Sequence, residues 1–215
     1  MKYITYIFDF DYTLADATVG IVESFNHALM QLGFEQKSMD IIKKTVGMPL
    51  REAFGELTGI PDKLTAEQFA FHVIEMADKI MTANTVLFDD TIDVLSQLKK
   101  RKCSTAVVTN KTRRRINESV EKFDIPGLID YIVGFEDVEN PKPSPEGLIK
   151  TIEYFGAPKH SALFVGDTVI DAKAAAGASI DFAAVLTGTT PAQDFEAFPH
   201  VCIANNLTDL LEYIT

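Results

Sequence analysis

Apolar positions along the chain follow two alternating periods. Residues 3–8 (YITYIF) form a β-branched and aromatic run with no turn residue inside it. Similar runs occur at 104–108 (STAVV), 131–135 (YIVGF), 162–165 (ALFV), 181–185 (DFAAV) and 200–204 (HVCIA). Short continuous apolar runs of this kind are the mark of strands buried on both faces. Between them the period becomes helical. Ile92, Leu95 and Leu98 recur on one face, ahead of Lys99, Lys100, Arg101 and Lys102, cations where a helix dipole favours them. Ile116, Val120 and Phe123 are in phase over 113–123. Further helices are expected from about 145 to 155, over an Ala-rich 171–176 that stops at Gly177, and over 207–214. This alternation predicts βαβ units, a parallel sheet and helices on both of its faces.

One block breaks the alternation. Between Asp16 and about Asn84 the pattern is helical throughout. Val22, Phe25, Leu29 and Leu32 share a face that Gly33 ends. Ser38 is placed to cap a second helix, and 50–57 reads as a third. Thr65-Ala66-Glu67-Gln68 reads as a capping box opening a long helix with Phe69, Val73, Met76 and Ile80 on one side. The class is therefore α/β: a Rossmann-like parallel-sheet core from residues 1–15 and 84–215, with an all-α cap domain inserted at 16–83.

Composition narrows the partners. The 215 residues are 47% hydrophobic and 24% charged, the balance of a globular domain rather than a disordered chain, coiled coil or collagen-like fibre. Twenty Lys and Arg against 31 Asp and Glu give a formal charge of −11. A surface this acidic argues against nucleic acid and against anionic membranes. Cys103 and Cys202 form no CxxC pair and read as buried thiols of a reducing compartment. Asp9 and Asp11 cut off the apolar N-terminal run before it could act as a signal segment, and no stretch of 18 apolar residues occurs. A cytoplasmic protein, monomer or homodimer, is expected.

The chemistry lies at the ends of the strands, where ligands bind in open parallel sheets. Asp9-Phe10-Asp11-Tyr12-Thr13 follows the first strand, and Thr109-Asn110-Lys111 follows 104–108. Pro141-Lys142-Pro143-Ser144 precedes the helix at 145. Gly166-Asp167-Thr168-Val169-Ile170-Asp171 follows ALFV. Clustered carboxylates need a cation, and oxygen ligands without His or Cys suit Mg²⁺. Thr109, Asn110 and Lys142 are donors that complement phosphate oxygens. One Asp can attack phosphorus, and a second two residues on can protonate the leaving oxygen and then activate water. The set is self-consistent as a phosphatase site.

DFDYTL, TNK, KPSP and GDTVID, in this order, resemble the four motifs of the haloacid dehalogenase superfamily, and the resemblance spans the whole chain. It implies Asp9 as nucleophile and metal ligand, and Asp11 as acid/base and, through its carbonyl, a second ligand. Thr13 would set the loop. Thr109, with Asn110 beside it, would grip the phosphoryl group. Lys142 would neutralise nucleophile and phosphate. Asp167 and Asp171 would be the acidic metal residues, with Mg²⁺ as cofactor. An acid at position 11 favours phosphate-ester hydrolysis over dehalogenation and phosphonate cleavage. TNK and KPSP most resemble phosphoglycolate phosphatases and related pyrophosphatases. Gly47-Met48-Pro49-Leu50-Arg51 resembles their cap specificity loop, which makes Arg51 a candidate for a distal anionic group. The implied activity is hydrolysis of a small phosphorylated metabolite such as 2-phosphoglycolate. Pyrophosphatase and sugar-phosphate mutase remain alternatives, as does a non-catalytic binding module.

Position 12 is Tyr where the superfamily usually has Gly. Tyr takes positive φ at a cost, so the loop is expected to hold ordinary dihedrals, or the ring to lie towards the cap. Asp89 and Asp90 read as a neutral helix start. Arg113, Arg114 and Arg115 read as a solvated basic face, the four histidines as incidental, and Phe25, Phe69 and Phe71 as packing residues.

Overall fold

A computed structural model of the chain describes residues 2–214. The chain divides into two compact units, one of Met1–Asp16 with Leu87–Thr215 and one of Ala17–Val86.

The first unit is built on β1 (Thr5–Phe8), β4 (Ser104–Val108), β5 (Tyr131–Val133), β6 (Ala162–Gly166), β7 (Asp181–Val185) and β8 (Cys202–Ala204). Among the described residues these form one six-stranded sheet in the order β5-β4-β1-β6-β7-β8, and every pairing is parallel. β2 (Ala15–Asp16) and β3 (Val86–Leu87) make a separate two-stranded pair. Alternate residues face opposite sides. Tyr6, Phe8, Val107, Leu163 and Val165 pack with α5 (Thr91–Lys100), α6 (Arg113–Lys122) and α10 (Leu207–Ile214). Ile7, Ala106, Val108 and Phe164 pack with α7 (Glu146–Phe155), α8 (Val169–Ala178) and α9 (Ala192–Phe195). Both sides of the sheet are covered, which is why its strands read as unbroken apolar runs.

Several sequence expectations change here. On α5 the buried face is Val94, Leu95 and Leu98, and Ile92 is exposed. α8 does not stop at Gly177 but runs to Ala178, with Ser179 left-handed at φ 59 as its cap. Gly177 serves packing instead: a Cβ there would press on Pro145 at 3.2–3.3 Å. Asp90 is the cap position of α5, and its Oδ2 accepts from Thr208 N at 2.9 Å. The basic run is not uniformly solvated. Arg113 pairs with Asp137 and Arg114 with Glu118, but Arg115 is buried.

The second unit holds α1 (Thr18–Gln31), α2 (Met39–Lys43), α3 (Leu50–Thr58) and α4 (Lys63–Ile80). Phe25, Leu29, Ile42, Phe54, Phe69 and Val73 form its core. Gly33 ends α1 at φ 78 as expected. The start of α4 differs: Asp62, not Thr65, is the cap, and its carboxylate accepts Thr65 N at 2.7 Å and Thr65 Oγ1 at 2.6 Å. The buried stripe of α4 is Ala66, Phe69, Val73 and Ala77 rather than Met76 and Ile80. Phe71 is not part of that core and is 65% exposed, its ring meeting only the edge of His72 among the aromatic contacts of the described residues.

Candidate active site

The chain fills the sheet outward from β1 to β4 and β5, then crosses back to place β6 on the other side of β1. That reversal opens a crevice at the carboxyl ends of β4, β1 and β6. Asp9 lies one residue past β1, Thr109 one past β4 and Asp167 one past β6. The backbone carries on the ladder into the site, with Asp9 N donating to Val165 O at 2.9 Å and Thr109 N to Val133 O at 3.0 Å.

After Asp9 the chain turns back on itself. Leu14 N and Ala15 N both donate to Phe10 O, at 2.9 and 3.0 Å, and Tyr12 N donates to Ala15 O at 2.8 Å. Tyr12 sits at φ 60, so the expectation of ordinary dihedrals at this position is overturned. Left-handed backbone costs a non-glycine residue about 1–2 kcal/mol. Burial of the ring offsets that cost, as do the closed turn and the Thr187 hydroxyl donating to the Tyr12 carbonyl.

Lys142 is the centre of the charge cluster. Its Nζ is 2.9 Å from Asp9 Oδ1 and 2.6 Å from Asp171 Oδ1, and all three side chains are at most 4% exposed. The backbone of Lys142 is bracketed by one side-chain amide: Lys142 N donates to Asn110 Oδ1 at 3.0 Å, and Asn110 Nδ2 donates to Lys142 O at 2.9 Å. Asn110, expected beside the substrate, thus directs its amide at the lysine loop. Glu146, in the first turn of α7, holds that loop from the other end by accepting Glu139 N and Asn140 N at 3.0 and 2.9 Å. Those backbone donors keep the Glu146 carboxyl down at about 2. Burial alone would lower the Lys142 ammonium, but Asp171 and Asp9 outweigh it and hold its pKa at about 12. Lys142 is a permanent cation.

Asp171 has two tasks. Oδ1 meets Lys142, and Oδ2 closes the capping box of α8 by accepting Thr168 N at 3.1 Å and Thr168 Oγ1 at 2.6 Å. Asp167 is different. Its Oδ1 accepts Thr13 Oγ1 at 3.1 Å, while among the described residues its buried Oδ2 has no hydrogen-bond partner. Burial, with Asp171 and Asp9 beside it, raises the Asp167 carboxyl well above the usual carboxylate range. Burial likewise lifts Asp9 to about 6 against the pull of Lys142.

Ligand oxygens of Asp9, Asp167 and Asp171 lie within 4.8 Å of one another. Three clustered carboxylates, one oxygen of them orphaned, and only one lysine among them call for a further positive charge; an all-oxygen set of this kind fits Mg²⁺. The Asp11 carboxylate stands outside that cluster and pairs with Lys111, Nζ to Oδ1 at 2.6 Å. Thr109 is 5% exposed, and its hydroxyl accepts Lys111 N at 3.2 Å. Arg51 belongs to the helical unit, on α3, with its guanidinium 3.6 Å from Glu67. The structure therefore brings Asp9, Lys142, Asp167 and Asp171 into one cluster, with Asn110 backing it.

Sequence reasoning missed two supports. Lys111 is one, because nothing local in the sequence separates it from a surface lysine. Gly188 follows β7, and any Cβ there would collide with Asp167 Oδ2. Its only sequence signal is a glycine soon after a strand.

Fold and site together define a Rossmann-like α/β protein with an acidic, cation-seeking centre at the switch point of its sheet. Residues 6–185 match the family model of haloacid dehalogenase-like hydrolases. The chain belongs to that family, and the helical insertion after the first strand is its cap. A Bacteroides fragilis crystal structure described as a haloacid dehalogenase-like hydrolase superposes with a TM-score of 0.94 at 41% identity, covering 97% of this chain and all of that one. A phosphoglycolate phosphatase of Aquifex aeolicus is 29% identical over 85% of this chain and 84% of its own. Pyrophosphatase PpaX of Oceanobacillus iheyensis is 26% identical over all of this chain and 98% of its own. The protein is an enzyme of the hydrolase class whose relatives are phosphatases. Among the described residues no helix is long and apolar enough to cross a membrane.

Proposed function

We propose that this chain is a Mg²⁺-dependent phosphatase that hydrolyses a small organic phosphate monoester, of the 2-phosphoglycolate kind, through an aspartyl-phosphate. The observation that carries this reading is the Asp9 carboxylate: buried, 2.9 Å from the Lys142 ammonium, and clustered with the carboxylates of Asp167 and Asp171. Asp9, Asp167 and Asp171, with the Asp11 carbonyl, would hold the metal. Bound Mg²⁺ supplies positive charge to neutralise the phosphoryl oxygens.

Asp9 attacks phosphorus in line, and the bond from phosphorus to the ester oxygen breaks. The electron pair leaves with that oxygen, which takes a proton from Asp11. Lys142 would hold charge against the phosphoryl group throughout, and the Thr109 hydroxyl would donate to it. Water then attacks the aspartyl-phosphate with Asp11 as base, freeing phosphate and regenerating Asp9. A relative named as a pyrophosphatase supports the same chemistry with phosphate as the leaving group.

Phosphate release from 2-phosphoglycolate, pyrophosphate, hexose phosphates, nucleoside monophosphates and an aryl phosphate tests this. Release is expected with Mg²⁺ and not with chelator. Asp9→Asn is expected to lower turnover by about 10⁴-fold or more while leaving the fold intact. Turnover within tenfold of wild type would overturn the covalent mechanism.

A further inference from the structure

We propose that Thr187 and Gly188, in the loop after β7, are positioning residues of the metal centre. Gly188 keeps one oxygen of Asp167 clear of donors, and Thr187 locks the peptide that presents the Asp11 carbonyl. This rests on the metal-dependent reading above. It adds the end of β7 to a site whose sequence motifs lie after β1, β4 and β6 and before α7.

Gly188 is glycine for space. Its φ is not left-handed, so the backbone alone would admit other residues. A Cβ at this position would overlap Asp167 Oδ2 and lie 2.9 Å from the Asp167 Cγ and 3.1 Å from its Cβ. The whole Asp167 side chain would have to move. Its Oδ1 accepts Thr13 Oγ1 at 3.1 Å, and among the described residues its buried Oδ2 accepts nothing. The Gly188 Cα fills that side without an N–H or O–H, so it excludes other groups and leaves the lone pairs untouched. A buried carboxylate oxygen kept unbonded is unfavourable by itself, and a cation compensates it.

Thr187 acts on the main chain. The Tyr12 N–H and the Asp11 carbonyl share one planar trans peptide and point in opposite directions. Tyr12 N donates to Ala15 O at 2.8 Å, which turns the Asp11 carbonyl away from Ala15. The next peptide carries the Tyr12 carbonyl, and the Thr187 hydroxyl donates to it. Tyr12, at φ 60, is the joint between two pinned planes. Left-handed backbone is unfavourable for tyrosine, so loss of the Thr187 hydroxyl frees the joint to relax, and the Asp11 carbonyl turns with it. The loop has its own anchor just before, where Leu186 N donates to Ala204 O at 2.9 Å. One short segment thus sets a side-chain oxygen and a main-chain oxygen that would face the same cation.

Mg²⁺ binding without substrate, measured by calorimetry, tests this. Thr187→Val keeps the shape of the side chain and removes the hydroxyl; it is expected to weaken Mg²⁺ binding by about tenfold or more. Thr187→Ser is expected to restore most of the affinity. Gly188→Ala is expected to weaken binding at least as much as Thr187→Val. The rise in Tm that Mg²⁺ produces should shrink in parallel. The ester KM at saturating Mg²⁺ should change far less than the Mg²⁺ Kd, because the effect acts through the metal ligands. Wild-type Mg²⁺ affinity in Thr187→Val or in folded Gly188→Ala would overturn the proposal, even with a lowered Tm in chelator. Equal losses in Thr187→Ser and Thr187→Val would also overturn it, and the Thr187 pair decides where Gly188→Ala does not fold. Failure of the metal-dependent reading looks different: wild type itself would bind no Mg²⁺ and release no phosphate.

Discussion

Among the described residues, the core unit buries five charged side chains, Asp9, Arg115, Lys142, Asp167 and Asp171, and the helical unit buries none. The buried polar groups of the helical unit are hydroxyls. Ser24, Thr45 and Thr85 return theirs to carbonyls three or four residues back, at 2.7, 2.8 and 2.9 Å. Its interior is an aromatic cluster, with Phe69 5.4 Å from both Phe25 and Phe54, and Phe34 5.5 Å from Phe54. One unit carries like charges at close range that oppose folding, and the other carries apolar contacts that favour it. A site that must receive an anion and a metal is kept away from its own stability optimum.

The largest effect should come from the apolar side of this contrast. Phe54 is fully buried between two rings. Phe54→Ala is expected to lower unfolding free energy by about 3–5 kcal/mol, read by urea denaturation. A loss below about 1 kcal/mol would mean that this cluster is not what holds the helices together.

Turning to the polar side, Asp9→Asn should gain stability while losing turnover. Burial raises the folded Asp9 carboxyl to about 6 from its ordinary range, so the folded state holds a proton that the unfolded chain has already released. Stability therefore declines as pH rises from about 4 to 6, and the deficit is complete above that. In chelator, Asp9→Asn should be more stable than wild type by about 1–3 kcal/mol at pH 7, with no gain below pH about 4. Saturating Mg²⁺ should narrow the gap by stabilising wild type. A variant less stable than wild type at pH 7 would show that the lysine compensates the carboxylate in full.

The same contrast explains what could be read from the sequence. The sheet was legible because β4 and β7 are continuous apolar runs with sharp ends, and the expected bounds match the structure to the residue. The cluster at its edge was legible because each member lies a fixed step beyond a strand end. What failed depended on contacts between distant residues. Gly177 reads as a stop, but it is where α8 passes Pro145. Tyr12 reads as ordinary backbone until Thr187, 175 residues away, bonds its carbonyl. Nothing local marks out Lys111, because its partner Asp11 lies 100 residues away. In the helical unit the errors were of phase and capping, because helix ends are set by which nearby acceptor wins.

The smallest effect tests one such end. Thr65 reads as the cap of α4, yet the structure gives that position to Asp62, whose carboxylate takes both Thr65 donors. Those bonds, the side-chain one first and then the backbone one, hold the Asp62 carboxyl below its ordinary range. A lowered carboxyl contributes stability that is present above the ordinary range and is lost as pH falls through the folded value. Asp62→Ala is therefore expected to lower Tm by about 2–4 °C at pH 7, with the difference shrinking in acid. Asp62→Asn keeps a neutral acceptor, so it should recover most of that Tm and show no pH dependence of its own. If Thr65→Ala instead produced the larger loss, and Asp62→Ala none, the capping box read from the sequence would be the true start of the helix.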